Sequence, residues 1–484
     1  MIPSHTHSAP GHFAGCRLYD VLNQWPGGTR DDVIDVIVDA LLAAFGQALG
    51  SLVDAELVVT QHDASDLGRN RSIEAFKANF DHRGGWPPPG FAARQNDPND
   101  EQDEKTAVDP RFWAVSAVQP DKTLIGTFAV IGVHNASVGR KHKYYHPDWA
   151  GLAADAIENN ANLNWARRDP ACGPRTGWAA VGQGPAGDVT AIPVGKDMRS
   201  MGLALANEMR DKVVPRWVDA LNAPGTPSDD IELGFYRWRP RDDGLVTWDV
   251  GTPVILGCEE SRTPFIFNPE RGEARRVDAA MRLAQRIVAG AKGIINPAAI
   301  ASEDDQLPKD PALGPAQLAI RKLLKVEPGD EHPVHLLRIG THVFFGLPCE
   351  ITTYASWKLE QALLARFSSV ASGEGGAARK RVTSASPIAM VNDYMGYLTT
   401  RAEYEMQNYE GALNLYGKRT HEAIIAAVCD TVHPDGTLQV DLREPLELPE
   451  PLDFDEVEDR LKRVAGRLSW SARQALKQVM KVWP

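Results

Sequence analysis

VHLLRIGTHVFFGLPCEIT, residues 334–352, reads as two strands turning about Gly340 and Thr341, with Glu350 delivered just past the second. A helix begins near TTYASWKLEQALL, so Glu350 is equally placed to cap it, a carboxylate being favoured at a helix N-terminus. Working towards the N-terminus, RRVDAAMRLAQRIVAGAKG (275–293) and GLALANEMRDKVVPRWVDAL (202–221) read as helices, and TFAVIGVHNAS (127–137) as a buried strand ending in His134. AELVVTQHD (55–63) is a short strand that delivers the polar loop QHDASDLGRNRS, with a helical stretch around IEAFKANF beyond it. Residues 29–50 carry Thr29 as N-cap, acids in the first turn and apolar residues at helical spacing, which predicts about five turns ending near Gly50. Residues 84–110, rich in Pro, Gly and acids, are expected to form a surface excursion. Strands alternating with helices make the fold class α/β, a layered mixed β-sheet domain with flanking helices.

The bulk numbers narrow the function. The 484 residues are 43% hydrophobic and 24% charged, and no apolar run comes near the roughly 18 residues of a membrane span, so no transmembrane helix is expected. A formal charge of -12 argues against a nucleic-acid partner, because such proteins concentrate Lys and Arg against phosphate. A small neutral or amphiphilic molecule suits the chain better. Five scattered cysteines without a C-x-x-C pair argue against a disulfide framework. No leader pattern opens the sequence, so the expected localisation is cytoplasmic as encoded, or secreted or periplasmic if an upstream segment is missing.

Functional groups collect where strands end. His134 follows TFAVIGV, Glu350 follows HVFFGLPC, and Tyr394 and Tyr397 follow SPIAMVND. SHTHSAPGHF (4–13) places His5 and His7 in a turn-forming segment at the start of the chain. His142 and His146 in HKYYH have the i, i+4 spacing of a helical zinc pair, although their Lys-rich, Pro-terminated setting reads as a solvated loop. Each candidate taken alone also has a structural explanation. Composition and spacing therefore stop at a soluble α/β protein with the character of an enzyme.

Local wording goes further. SHTHSAPGHF resembles the THTHSGPGGY-type motif of the neutral (non-lysosomal) ceramidases. NRSIEAF (70–76) is similar to that family's NRSPxAY, FAVIGVHNAS (128–137) to its WFAVHxTS, and AGDVT (186–190) to its GDVSPN. The longest blocks are HPVHLLRIGTHVFFGLPCEITTYASWKLEQAL (332–363) and NDYMGYLTTRAEYEMQNYEGALNLYG (392–417), which resemble PVQxLRIGxxxxxxxPGEFTTxAGxRL and NxYxxYxTTxEEYxxQxYEGAxxLYG.

This resemblance implies a zinc amidohydrolase acting on ceramide or a related N-acyl amine and yielding a fatty acid and an amine. It implies His5, His134, Glu350 and Tyr397 as metal ligands, and His7 as the general base that returns its proton to the leaving amine. Arg71 would orient His7 and contact substrate, and Tyr409 would donate to the oxyanion. Asp188 and Thr190 stand at substrate-contact positions, with Thr190 in place of the family's serine. The alternatives are a zinc hydrolase on the same scaffold acting on a more polar amide or ester, and a non-catalytic binding subunit.

The sequence also departs from the family pattern. His5 lies four residues from Met1, where the family has a substantial preceding segment, so the expectation is a loosely held first ligand and a start placed too late. HPDWAGLA (146–153) replaces SGDNKGYA, and GCEESRTPFIF (257–267) puts Glu259, Glu260 and Arg262 in a small-residue stretch, which would disfavour long acyl chains. The expected organisation is a catalytic domain at 1–440, an acidic Pro-containing linker at 441–459 and a basic amphipathic helix at 460–484, without the family's C-terminal immunoglobulin-like domain. Leu461, Val464, Leu468, Ala472, Leu476, Val479 and Trp483 form the apolar stripe of that helix, which docks on its own domain or makes peripheral membrane contact.

Overall fold

The computed structural model describes residues 1–11, 30–80, 106–139, 142–166, 177–193, 195–196, 198–225, 227–251, 253–258, 304–309, 328–371, 381–441 and 443. The helix expected at 275–293, most of the 84–110 excursion, the Glu259, Glu260 and Arg262 cluster and the basic C-terminal segment lie outside them.

The first half contains α1 (Asp31–Gly50), β1 (Glu56–Asp63), β2 (Arg69–Asn70), α2 (Ile73–Lys77), β3 (Arg111–Val118), β4 (Leu124–Ile131), α3 (Asp148–Glu158), β5 (Trp178–Gln183) and β6 (Val189–Thr190). Next come α4 (Leu203–Asn222), β7 (Pro227–Ser228), β8 (Ile231–Trp238) and α5 (Pro253–Leu256). The second half adds β9 (His332–Ile339), β10 (His342–Gly346), β11 (Glu350–Ile351), α6 (Thr353–Ala371), β12 (Ser384–Ile388), β13 (Tyr397–Leu398), α7 (Arg401–Met406), α8 (Tyr409–Ala412) and α9 (Thr420–Asp430).

One sheet has the order β5-β4-β3-β1-β7 and the other β12-β10-β9-β8. Both are mixed: β4 runs parallel to β5 and β10 parallel to β12, while the remaining neighbours are antiparallel. Period-two alternation explains how they stack. In β3, Phe112 and Ala114 pack on α3 and α4 with Trp149, Met209 and Trp217, whereas Trp113 and Val115 point the other way. In β10, Val343 and Phe345 pack on α6 and α9 with Leu359 and Ile424, whereas Phe344 turns back towards Trp113 and Val130. The layers are therefore helix, sheet, sheet, helix. Strands covered on both faces read as continuous apolar runs, which is why TFAVIGV and HVFFG were legible.

The helix expected at 29–50 forms from Asp31, one residue after Arg30 at the N-cap. None of its residues is buried. It corrects the expectation about membrane spans, because α1 is long and apolar enough to cross one by length and composition, with a mean hydropathy of 1.8. Asp35 and Asp39 break the apolar run in the sequence without lowering that mean enough to matter.

Below the second sheet's edge, Thr400 and Glu403 form a capping box at the start of α7. The Glu403 carboxylate also accepts from Thr352 Oγ1 at 2.6 Å and Asn79 Nδ2 at 2.9 Å. Burial, reinforced by Asp188, pushes its pKa up to about 8. The folded state thus holds a proton that the unfolded chain releases near the ordinary carboxylate value. Stability from this group is full below that value and is lost as pH rises through about 8. The urea midpoint is expected to fall between pH 6 and pH 8, and Glu403→Gln to flatten that slope; an unchanged slope in the variant would assign it elsewhere.

Candidate active site

The carboxyl ends of the parallel pairs β4/β5 and β10/β12 meet at one edge of the two sheets, and the loops leaving them converge there. His134 lies three residues past β4, Gly187 and Asp188 follow β5, Glu350 follows β10, and Tyr394 and Tyr397 follow β12. β11 and β13 pair in parallel with Glu350 opposite Tyr397, which brings two residues from distant blocks side by side. Gly187 stitches the sheets together through a bond from its N–H to Ile351 O at 3.0 Å. A Cβ at Gly187 would stand 2.9 Å from the Ile351 carbonyl, so no larger residue fits this approach.

His5, His7 and His134 are mutually close, with one ligand atom of each lying within 4.8 Å of the others. His134 is buried and its Nδ1 faces two carbonyls, Ala186 O at 2.5 Å and Val189 O at 3.1 Å. Only a protonated Nδ1 satisfies them, which leaves Nε2 as the atom turned towards the cluster. That Nε2 points at Glu350 Oε2, 2.9 Å away, and neither atom has a hydrogen-bond partner. A proton on the imidazole or a cation bound between them would satisfy both atoms. His5 Nε2 approaches the same Glu350 oxygen at 3.4 Å, and His7 Nε2 lies 3.3 Å from His5 Nε2. Burial pushes the Glu350 carboxyl up, but the two facing imidazoles more than offset it and hold it well below its ordinary range. Two imidazoles and a carboxylate with inward lone pairs fit a divalent transition metal such as zinc. Glu350 therefore belongs to this cluster, rather than capping α6.

The expectation of a loosely held His5 does not hold. Thr6 Oγ1 donates to His146 O at 2.6 Å and His146 N donates to Ser8 O at 3.0 Å. Gln183 Nε2 donates to Ser4 O, Asn392 N donates to Met1 O, and the Met1 ammonium pairs with Asn392 Oδ1. The tail is tied along both sheets, and His5 is held at φ 63, a left-handed conformation that costs a non-glycine residue energy. His142 and His146 lie in a loop rather than on a helix, with ring centroids 5.6 Å apart. The backbone of His146 clamps the histidine loop while its Nδ1 accepts from Asp148 N at 2.9 Å.

Tyr397 is buried beside this cluster. Burial, then the Glu350 carboxylate, holds its phenol well above the ordinary value, with Arg71 pulling the other way. Arg71 Nη2 donates to Tyr397 Oη at 3.2 Å and to Gly187 O at 2.7 Å, and its Nε pairs with Glu410 Oε1 at 2.9 Å. These bonds aim the guanidinium at the Tyr397 phenol. Tyr409 stands edge-on to Tyr397, with ring centroids 5.6 Å apart. Asp188 and Thr190 have other duties. Asp188 is buried, accepting from Thr353 N, Thr353 Oγ1 and Asn70 Nδ2, and Thr190 Oγ1 accepts from Ile192 N. As placed, both brace the loops of the site through these bonds.

Tyr394, singled out only as a strand-end candidate, and Glu410, not singled out at all, both acquire contacts with the site residues. Tyr394 Oη donates to Glu350 Oε1 at 2.5 Å, orienting the carboxylate. Glu410 pairs with Arg71 and accepts from Ser72 Oγ at 2.6 Å, both its own side chain and that of Arg71 being buried. Glu410 stands beside Tyr409 in NYEG, so the signal for it was adjacency within a motif.

Known proteins resemble this chain in sequence and in fold. The family model described as neutral/alkaline non-lysosomal ceramidase, N-terminal, matches residues 1–203 and 287–426. A neutral ceramidase of Pseudomonas aeruginosa is 22% identical over 87% of this chain and 57% of its own length. One of Drosophila melanogaster is 23% identical over 86% of this chain and 60% of its own. A solved structure described as ceramidase complexed with C2 superposes with a TM-score of 0.61 at 19% identity, covering 92% of this chain and 63% of that one. The chain thus spans less than two thirds of the length of these relatives, and the superposition speaks for a shared fold.

Proposed function

The chain belongs to the neutral/alkaline non-lysosomal ceramidase family, and from that premise we propose that it hydrolyses the amide bond of ceramide or a related N-acyl amine. The products would be a fatty acid and an amine. The observation that carries the reading is the buried pair of His134 Nε2 and Glu350 Oε2, 2.9 Å apart, with His5 and His7 gathered beside it. His5, His134, Glu350 and Tyr397 would hold zinc. A zinc ion there would lower the pKa of water towards about 7 and polarise the amide carbonyl.

The chain's own residues supply the rest. His7, the exposed member of the histidine cluster, takes the proton of the attacking water as the C–O bond forms. It returns that proton to the amide nitrogen as the C–N bond breaks. The Tyr409 hydroxyl donates to the oxygen on which charge builds up. Arg71, anchored by Glu410 and Gly187, fixes the Tyr397 phenol through its hydrogen bond. The substrate's amphiphilic character follows from this reading.

The test combines metal analysis with a panel of a fluorescent short-chain ceramide, simple N-acyl amines and polar amides and esters. About one zinc per chain, loss of ceramide hydrolysis on chelation and its return with zinc are expected. Turnover confined to polar substrates would replace the substrate class. Binding without turnover in the zinc-loaded chain would replace the enzyme with a binding subunit, and full activity after complete metal removal would overturn the metal site.

A further inference from the structure

Helix α1 presents an apolar face to solvent. Val38, Leu42, Phe45 and Leu49 recur at spacings of four, three and four and are 43%, 64%, 64% and 54% exposed. An isolated helix of about 15 residues or fewer is marginal in water, and most helices draw their stability from a packed apolar face. A contiguous exposed seam of this kind marks a contact surface. We propose that the seam is the seat of the chain's own basic C-terminal segment, residues 460–484, independently of the catalytic reading above.

Charge selects this occupant. The helix has Asp31, Asp32, Asp35 and Asp39 and no Lys or Arg, whereas residues 460–484 have seven Lys and Arg and no acid. Shape agrees. Leu461, Val464, Leu468, Leu476 and Val479 recur at helical spacing in a segment long enough, at 1.5 Å per residue, to cover the roughly 30 Å of α1. The segment lies outside the described residues, which leave off at Arg443. Residues 444–459 can span roughly 50 Å when extended, about twice the radius of gyration of roughly 23 Å expected for a chain this long.

A bilayer is the poorer occupant. Arg30, at the start of α1, lies within Coulombic reach of Tyr145, and residues 51–55 lead directly from its end into β1. Both ends therefore return to the same folded body, and a span would also carry the charged Asp35 and Asp39 into hydrocarbon, which is unfavourable. Negative charge on the helix likewise disfavours an anionic lipid surface.

Hydrogen exchange of the full chain, read over residues 31–50, tests the docking. The amides of α1 are expected to be protected, and Leu468→Asp with Leu476→Asp to speed their exchange at least tenfold while β3 and β4 stay unchanged. Charge reversal provides a second arm. Asp35→Lys with Asp39→Lys, or Arg467→Glu with Arg473→Glu, should each loosen α1, and the two pairs together should restore its protection. The proposal fails if α1 exchanges freely in the unaltered chain, or if changes at 460–484 leave it unmoved. It fails equally if protection grows with protein concentration alongside a dimer in light scattering, or arises only when phosphatidylcholine vesicles are added.

Discussion

Glu350→Gln is expected to lower turnover by about 10³-fold or more and to leave the purified chain with little zinc. The amide keeps the volume of the carboxylate but not its charge, so the lone-pair cluster with His5 and His134 loses the anion that would neutralise a divalent ion. Losing several kcal/mol of charge stabilisation in the transition state corresponds to at least this drop in rate. A thermal measurement separates the metal effect from a folding defect. Zinc at about 100 times its dissociation constant should stabilise the native chain by about 2.7 kcal/mol, visible as a rise in Tm, and should not shift the variant. Tyr394→Phe provides the graded control. It removes only the bond to Glu350 Oε1 and should weaken zinc binding by about 10–100-fold. If Glu350→Gln retained zinc and activity, the histidine and carboxylate cluster would not be the catalytic centre.

Glu410→Ala is expected to damage the protein in a different way. Arg71 and Glu410 are both buried, and the pair is completed by Ser72 Oγ, Gly187 O and the Tyr397 phenol. Removing the carboxylate leaves a guanidinium out of water without its counter-charge, at a cost of about 3–5 kcal/mol. The melting temperature should fall by several degrees. kcat should fall as well, because Arg71 is freed to leave Tyr397. Zinc content should stay near that of the native chain, since the Glu410 carboxylate bonds to Arg71 and Ser72 rather than to His5, His134 or Glu350. Glu410→Gln, which keeps an acceptor for Ser72, should lose less stability but still depress kcat. A variant with native kcat and native Tm would show that Arg71 finds its place without Glu410.

The two predictions differ in how far they could have been made from the sequence. Glu350, His134 and the HTH residues sit at strand ends or in motif turns, and strand ends can be found from apolar runs such as HVFFG and TFAVI. Their convergence was implied by resemblance, and the structure supplies its geometry in the pairing of β11 with β13 and in the shared edge of the two sheets. The bond between Arg71 and Glu410 joins residues 339 positions apart, and no local pattern predicts which buried acid a buried arginine will choose. Asp188 shows the converse. Its motif suggested a substrate contact, yet Thr353 and Asn70 take up its oxygens once α6 and β2 are packed around it.

The N-terminal tail shows the same division. Its short distance from Met1 suggested slack, because sequence separation counts covalent freedom and ignores the hydrogen bonds that Gln183, Asn392 and His146 contribute from afar. Residue order alone was enough for the α/β class, for the helices near 31–50 and 203–222 and the strands ending near His134 and Glu350, and for the chemical identity of the candidate ligands, since periodicity and side-chain type are local properties. Burial, pairing of charges and the pKa of Glu403 or Glu350 arose when distant segments closed over one another. Those quantities depend on which groups exclude water from which, and that is settled in three dimensions.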